Sequence, residues 1–439
     1  MNESDILQKI AQELADPSSS VDGEEPKLFL GFSGGLDSTV LLHLVASSPL
    51  KSKLRVIHVH HGLSAHADQW AAHCEDVCKA LNVPFQVFRV EVSSEGKGLE
   101  SAAREQRYAA FGNAMADNDL LLLAHHQNDQ AETVLFRLAR GTGLNGLAGM
   151  RSRRKLGVLK VYRPLLNVAR TELESYAKAH HLDWVEDGSN ASDTFDRNFI
   201  RQHIIPVFER RWPGFVEKVS ATSSKLLDTH DLLAEYIGED FDLLGRRKER
   251  LGESLSLVPF SRFSCARKKA LILAWSESMG LDSPGQAHLE KLAEVLEAKD
   301  DAQPCLNWGN AELRRFDGRL FLLPRVAYRE LETCRWRIKE PLNLGEGFSL
   351  YCLNADEYAP STEFEVRSRT NAARCRPVTR EHSQTMKKLL QEYRLEPWLR
   401  AIVPCVYVHG ELVAVADLWQ CESMKVDTLP KLEWRYIGA

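Results

Sequence analysis

Leu28-Phe29-Leu30-Gly31-Phe32-Ser33-Gly34-Gly35-Leu36-Asp37-Ser38-Thr39-Val40-Leu41-Leu42 joins an apolar run to a helix-like one through a turn of serine, glycine and aspartate. A strand that passes through such a turn into a helix aims backbone N–H groups and the positive end of the helix dipole at one point. That point favours a phosphate. Gly34 and Gly35 permit positive φ and close approach of an anion, while the hydroxyls of Ser33 and Ser38 can donate to it. Asp37 would repel phosphate unless a cation lay between them, so its carboxylate reads as a magnesium ligand. The turn lacks the lysine of a Walker A loop, which excludes the usual kinase or GTPase reading. Serine, glycine and aspartate are also ordinary turn residues; the strand before and the helix after favour the phosphate reading.

Outward from this turn, strand and helix patterns alternate: 54–60, 85–92 and 120–124 read as strands, 67–81 and 100–115 as helices. A short polar helix and the linker 17–23 precede them. Such βαβ punctuation implies an α/β fold, a parallel Rossmann-like sheet covered on both faces, with ligands beyond the carboxyl ends of the strands. The Ser33 turn and the segment after Ala124 both lie at such ends, so they can form one site.

That second segment reads His125-His126-Gln127-Asn128-Asp129-Gln130-Ala131-Glu132 and continues as a helix to Arg140. Asp129 and Glu132, three apart, share a helix face and with Asp37 can offer carboxylate oxygens to magnesium bridging ATP phosphates. The competing reading is a helix N-cap with its capping-box partner. His58, His60, His61, His125 and His126 invite a zinc reading, but strand alternation puts only His58 and His60 on one face and no further ligand spacing follows. Gly141-Thr142-Gly143-Leu144-Asn145-Gly146 spells a dinucleotide fingerprint, yet it follows a helix instead of a strand and reads as a flexible loop near the site.

Within 439 residues, 44% hydrophobic, there is material for two or three cores. No apolar run of about eighteen residues exists to span a membrane, and the acidic start Met1-Asn2-Glu3-Ser4-Asp5 is unlike a signal peptide, so a cytoplasmic location is expected. Nine irregularly spaced cysteines without a Cys-x-x-Cys argue for reduced thiols, with Cys74 and Cys78 on one buried helical face. Net charge is −5, but residues 367–400 carry nine basic and three acidic residues, so this window holds +6 and the rest −11. Concentrated positive charge on an acidic protein fits a phosphate-backbone contact; the alternative is a solvated face.

Three segments are expected: a catalytic domain at 1–215, a helical middle domain at 216–330 and a small mixed α/β domain at 331–439. The middle one rests on apolar Leu226, Leu227, Leu232, Leu233, Tyr236 and Ile237 at helical spacing, and on 270–275 and 288–296. In the last, 364–366, 402–404, 405–409 and 412–416 read as strands.

The Ser33–Ser38 motif resembles the pyrophosphate loop of the N-type ATP pyrophosphatases, which cleave ATP between the α and β phosphates and adenylate a substrate. Further segments narrow the resemblance: His58-Val59-His60-His61-Gly62-Leu63, Glu100-Ser101-Ala102-Ala103-Arg104-Glu105-Gln106-Arg107-Tyr108 and Arg140-Gly141-Thr142-Gly143-Leu144. So do Tyr162-Arg163-Pro164-Leu165-Leu166, Glu186-Asp187-Gly188-Ser189-Asn190 and Arg197-Asn198-Phe199-Ile200-Arg201. Together with Lys387-Lys388-Leu389-Leu390, Pro397-Trp398-Leu399-Arg400 and Val403-Pro404 they are similar to the tRNA(Ile)-lysidine synthetase family. Where that family often has a glycine pair in the last domain's basic segment, this chain has Asn371-Ala372-Ala373.

The resemblance implies a ligase that uses ATP and magnesium to join free L-lysine to C2 of the wobble cytidine of an isoleucine tRNA with a CAU anticodon. Ser33, Gly34, Gly35, Leu36, Asp37, Ser38 and His60 would contact ATP, and Asp37, Asp129 and Glu132 the magnesium. Arg104, Arg107 and Arg201 would stabilise phosphate or the polarised base, surface ion pairing being their bland reading. Asp187 with Asn190 would position the lysine amine or cap a turn, and Arg374, Arg376, Lys387 and Lys388 would hold tRNA. Assembly is open between monomer and homodimer. Rival readings are a tRNA 2-thiocytidine enzyme, which would need cysteines for sulfur or a cluster, an ammonia-using synthetase and a catalytically dead tRNA-binding protein.

Overall fold

At the centre of the first sheet lies β1 (Leu28–Gly31), with β2 (Leu54–His60) parallel to it on one side and β4 (Leu120–Leu122) parallel on the other. The protein is described here from a computed structural model, over residues 1–15, 25–62, 64, 66–91, 99–157, 159–186, 196–298, 302–359, 362–369, 374–423 and 428–438. The linker 17–23, Asp187, Asn190 and 371–373 lie outside them. The chain forms two compact units, Met1–Leu232 and Leu233–Ala439.

In the first unit α1 (Glu3–Leu14) buries Ile6, Ile10 and Leu14 along one face. The strands β3 (Phe85–Arg89), β5 (Arg153–Leu156) and β6 (Leu159–Tyr162) complete a six-stranded sheet in the order β3-β2-β1-β4-β6-β5, parallel except for β5. β1 and β4 read as continuous apolar runs because both sheet faces are covered. The helices are α2 (Leu36–Ala46), α3 (Ala67–Ala80), α4 (Leu99–Ala114), α5 (Gln127–Ala139), α6 (Leu144–Leu147) and α7 (Arg170–Ala179). Nine α2 residues are buried, as expected of a helix that is apolar almost all round. The segment 141–146, expected as a loop, is one only at its start: Leu144 begins the single turn of α6. Last come α8 (Asp196–Phe199), a π-helical turn Ile200–Ile204 and α9 (Ile205–Arg211), then α10 (Phe215–Leu243), within which the division between units falls.

Strand order reverses at β1: the chain builds β2 and β3 to one side and then β4 to the other. The crevice at the carboxyl ends of β1 and β4 is therefore the topological switch point, the position at which open α/β sheets bind ligands. The turn after β1 and the histidine pair after β4 flank it.

In the second unit the helices α11 (Leu257–Ser261), α12 (Cys265–Ser278), α13 (Gln286–Glu290) and α14 (Leu292–Glu297) accompany strands β7 (Arg247–Lys248), β8 (Glu253–Ser256), β9 (Cys305–Trp308), β10 (Ala311–Phe316) and β11 (Arg319–Pro324). Their antiparallel sheet, β7-β8-β11-β10-β9, is an addition to the helices expected over 216–330. Beyond it come β12 (Cys334–Arg337), β13 (Leu342–Gly345), β14 (Phe348–Cys352), β15 (Glu363–Arg367), β16 (Arg374–Cys375), β17 (Gln384–Thr385), α15 (Met386–Glu392), β18 (Cys405–Val408), β19 (Glu411–Val415), β20 (Trp419–Gln420) and β21 (Leu432–Tyr436). One apolar core includes Leu251, Phe321 and Leu323 together with Trp336, Trp398 and Trp434, so 216–330 and 331–439 are not separated at residue 330 by a break in packing. The stretch 402–404 is not a strand. Pro404 has no N–H for a ladder, its carbonyl accepts from Ala416 N at 2.8 Å, and the strand starts at Cys405.

Candidate active site

Gly34 takes φ +83°, and a Cβ there would lie 3.0 Å from the buried Cys74 sulfur, so glycine is required for both backbone and space. Ser33 and Ser38 hydroxyls lie 3.1 Å apart across the turn; Ser38 Oγ also donates to Gly35 O at 3.0 Å. Val185 N donates to Gly34 O at 2.9 Å and pins the turn from outside. Gly35 is the N-cap of α2 and offers no side chain, which leaves the first-turn N–H groups facing the crevice. A cavity of about 640 Å³ opens there, lined by Ser33, Gly35, Asp37, Ser38, His60 and Asp129 among others. Leu36 points the other way, into the core.

The start of α5 lies opposite. His126 is its N-cap, accepting from Asn128 N at 3.1 Å through Nδ1, while Asp129 Oδ2 accepts from His126 N at 2.9 Å. Asp129 thus caps the helix and still presents Oδ1. The cap turns His126 Nε2 inward, 3.5 Å from both Asp37 Oδ2 and Asp129 Oδ2, which is long for a hydrogen bond. Asp37 Oδ1 and His126 Nε2 are buried without hydrogen-bond partners. Burial acts to raise the Asp37 carboxyl, but His126, Arg170 and Arg201 outweigh it and hold the acid below its ordinary range. Burial conversely acts to lower His126, and the two aspartates overcome it and raise the imidazole.

Glu132 is differently placed. Only 2% exposed, it receives Arg201 Nε at 2.6 Å and Nη2 at 3.0 Å, so both its oxygens are engaged by one guanidinium. Arg201 also reaches Asp129 Oδ1 at 3.3 Å. Burial raises the Glu132 carboxyl despite this partner. Among the described residues no cluster of three or more histidine, cysteine, aspartate or glutamate side chains is arranged to hold a metal. The expected triad therefore resolves into Asp37 and Asp129 around His126, with Glu132 set behind Arg201. A smaller cavity of about 250 Å³ is lined by Asn128, Glu132, Arg170, Arg201 and Ile205.

Of the two arginines on α4, Arg107 lines the large cavity and contacts His61 Nε2 at 3.3 to 3.4 Å. Arg104 instead lies exposed over the Tyr108 ring, 5.1 Å from its centroid, and lines neither cavity. Burial, joined by the Arg107 charge, pushes His61 down to about 4; burial does the same for His125. Arg374, Arg376, Lys387 and Lys388 belong to the second unit. Cys74 and Cys78 are fully buried, and burial pushes both thiols up to about 12, which suits packing and not nucleophilic work. Arg170 carries no assignment in the sequence reading, and His126 and His61 enter it as candidates only among the histidines of the zinc reading. The signal for His126 was its position in the short turn between β4 and α5, immediately before the helix.

A strand, a glycine turn at a switch point and a helix start facing a second, carboxylate-bearing helix define a PP-loop domain, and the model of that domain matches residues 3–208. The TilS substrate binding domain matches 255–321 and the TilS substrate C-terminal domain 364–434. The tRNA(Ile)-lysidine synthase of Edwardsiella ictaluri is 39% identical over 431 residues, 95% of each chain, and that of Serratia proteamaculans 36% identical over 433 residues, 96% of each. The enzyme of the same name from Alkalilimnicola ehrlichii is 40% identical over 400 residues, 89% of each chain. The chain belongs to the tRNA(Ile)-lysidine synthase family.

Proposed function

We propose that this chain adenylates the wobble cytidine of an isoleucine tRNA bearing a CAU anticodon and joins L-lysine to it, consuming ATP. The observation that carries the reading is the meeting, at the β1/β4 switch point, of the Ser33–Ser38 turn with Asp37 and Asp129. A cytosine C2 oxygen is a poor leaving group; adenylation converts it to AMP. In the first step O2 attacks the α phosphate and pyrophosphate departs into the turn, where backbone N–H groups and the two serine hydroxyls receive its charge. In the second, the neutral ε-amine of lysine attacks C2, loses a proton, and AMP leaves with the oxygen.

The residues fit a magnesium ion. Asp37 Oδ1 is a buried acceptor without a donor, and one or two carboxylates with phosphates and water are a normal magnesium environment. Held by Asp37 and Asp129, magnesium would offset charge on the departing pyrophosphate. Arg201, oriented by Glu132, would stabilise the α phosphate from the other side. Arg107 and neutral His61 line the same cavity and are suited to the base or ribose, whereas Arg104 supports Tyr108.

The test is a single assay of AMP and pyrophosphate release with an unmodified transcript of the CAU-bearing isoleucine tRNA. Product is expected only when ATP and lysine are both supplied, with a mass gain on the tRNA equal to lysine minus water. AMP release that needs a sulfur donor in place of lysine would overturn the reading in favour of thiolation. No described helix is long and apolar enough to cross a membrane.

A further inference from the structure

From α8 through α9 one helical segment has two unlike faces. Its inner face buries Ile200 and Ile205 and delivers Arg201 to Glu132. Its outer face repeats at four-residue intervals through Phe199, His203, Val207 and Arg211, with Arg210 and Trp212 beside them, all exposed. Phe199 is 45%, Val207 61% and Trp212 52% exposed, a cost in water that packing elsewhere in the unit does not impose on aromatics such as Phe111. The Phe199 and His203 rings lie 5.0 Å apart, and the Arg211 guanidinium lies 5.7 Å from the Trp212 centroid.

Between 203 and 212 the exposed charge has one sign, and the exposed acid of the segment, Asp196, lies at its amino end. Arg210 and Arg211 have no ion-pair partner among the described residues. The nearest acid in sequence, Glu209, has both oxygens engaged, accepting from Gly214 N at 2.9 Å and Val216 N at 2.8 Å. Exposed aromatic rings interleaved with arginines are what unpaired RNA bases and their phosphates bind: rings offer stacking surfaces, guanidiniums take phosphate. A protein surface could also bury these rings and pair with the arginines, and self-association is accordingly one of the outcomes tested below.

We infer that the outer face of 199–212 is a docking surface for a single-stranded RNA segment of the substrate, with a base stacked on Phe199 and phosphates held by Arg210 and Arg211. This rests on the proposed tRNA reaction. It deepens that reading because the segment that presents Phe199 outward also delivers Arg201 to Glu132 on its inner face, so RNA held there would rest on the element that carries a site arginine.

The experiment measures tRNA affinity by filter binding across a salt series, with ATP affinity alongside, for F199A, F199W and the double variant R210A/R211A. Because these side chains are exposed, each variant is first checked for an unchanged melting temperature. F199A is expected to weaken tRNA binding about tenfold, F199W to restore it, and R210A/R211A to flatten the salt slope by about 1.4, or roughly 0.7 per contact to a single strand. ATP affinity should stay within twofold. Wild-type tRNA affinity and slope in both F199A and R210A/R211A, in a protein that still makes product, would overturn the inference while leaving the proposed reaction intact. A shift of the wild type from dimer to monomer in the variants, with unaltered tRNA affinity, would also overturn it by making the face a self-association surface.

Discussion

Residues 196–212 in the first unit and 367–400 in the second are both rich in arginine, but their charges face different things. In the second stretch Arg367 lies 3.2 Å from Glu365, Arg380 2.6 Å from Glu392, Lys388 4.0 Å from the same Glu392 and Arg394 3.0 Å from Asp317, and Arg376 pairs with Glu422. Glu365, Glu422 and Asp317 all lie outside the window whose composition gave +6. The first stretch has four arginines against two acids, a far smaller excess, yet its outer arginines have no carboxylate partner among the described residues. Net charge along a sequence is thus a poor measure of charge offered to a polyanion, because acids outside the stretch, as near as Glu365 and as far as Asp317, supply the counter-charge.

The contrast can be broken most sharply at the chemistry. If the two basic stretches bind and the switch-point site reacts, Asp37→Asn should lower turnover more than a hundredfold while tRNA affinity stays within twofold. Parallel loss of tRNA affinity in a filter-binding series would show that site and surfaces are not separable.

A second test compares a buried pair with an exposed one. Glu132→Gln leaves Arg201 without its bidentate partner, and the first unit should lose about 1–3 kcal/mol, discounted because Arg201 is partly exposed. Arg380→Gln in the second unit should cost under about 1 kcal/mol. Urea unfolding of both variants measures the difference; equal losses would refute the distinction.

Third, neutralising Arg374, Arg376, Lys387 and Lys388 together should lower the salt slope of tRNA binding by no more than about two contacts' worth, roughly 1.4 to 1.8. Arg376 and Lys388 already face carboxylates, and only Arg374 and Lys387 have none among the described residues. A slope loss of four contacts would mean that the surface pairs open for RNA.

The smallest effect concerns acid. His61 is pushed down to about 4 in the folded chain from an ordinary value near 6.5, so the unfolded chain binds more protons between those pH values. Stability should therefore be lost as pH falls from about 6.5 toward 4, by roughly 1 kcal/mol after allowing for half-burial. His61→Asn should flatten that slope in thermal melts taken at pH 7, 6 and 5.

Sequence reading succeeded where interactions are local or follow topology. The turn after β1, the alternating elements and the approach of Asp129 to Asp37 come from periodicity and from where parallel strands deliver their loops. Helix spacing puts Glu132 beside Asp129, but spacing alone could not reveal an arginine 69 residues away that contacts both its oxygens. Arg104 and Arg107 look alike in sequence, three apart on α4; only the packing of α4 turns one toward the cavity and the other over Tyr108. The sheet β7-β8-β11-β10-β9 went unread because its strands are two to six residues long and carry charges such as Arg314 and Glu312, paired at 2.8 Å, where apolar alternation would mark a strand.

The π turn Ile200–Ile204 sets the phase of the segment that carries Arg201. A π turn holds one residue more than an α turn, and each α-helical residue advances the chain by about 100°. Deleting one residue from 200–204 would let the turn close to α-helix with its two flanks nearly in phase, because the extra residue is held within the turn itself. Phe199 and Arg210 would still share a face, and the side chains displaced would be those inside the turn, Arg201 among them. The irregularity of the helix is thus confined to the turn that carries Arg201, so a change of length there alters where that guanidinium points and leaves the frame of the flanking helices in place.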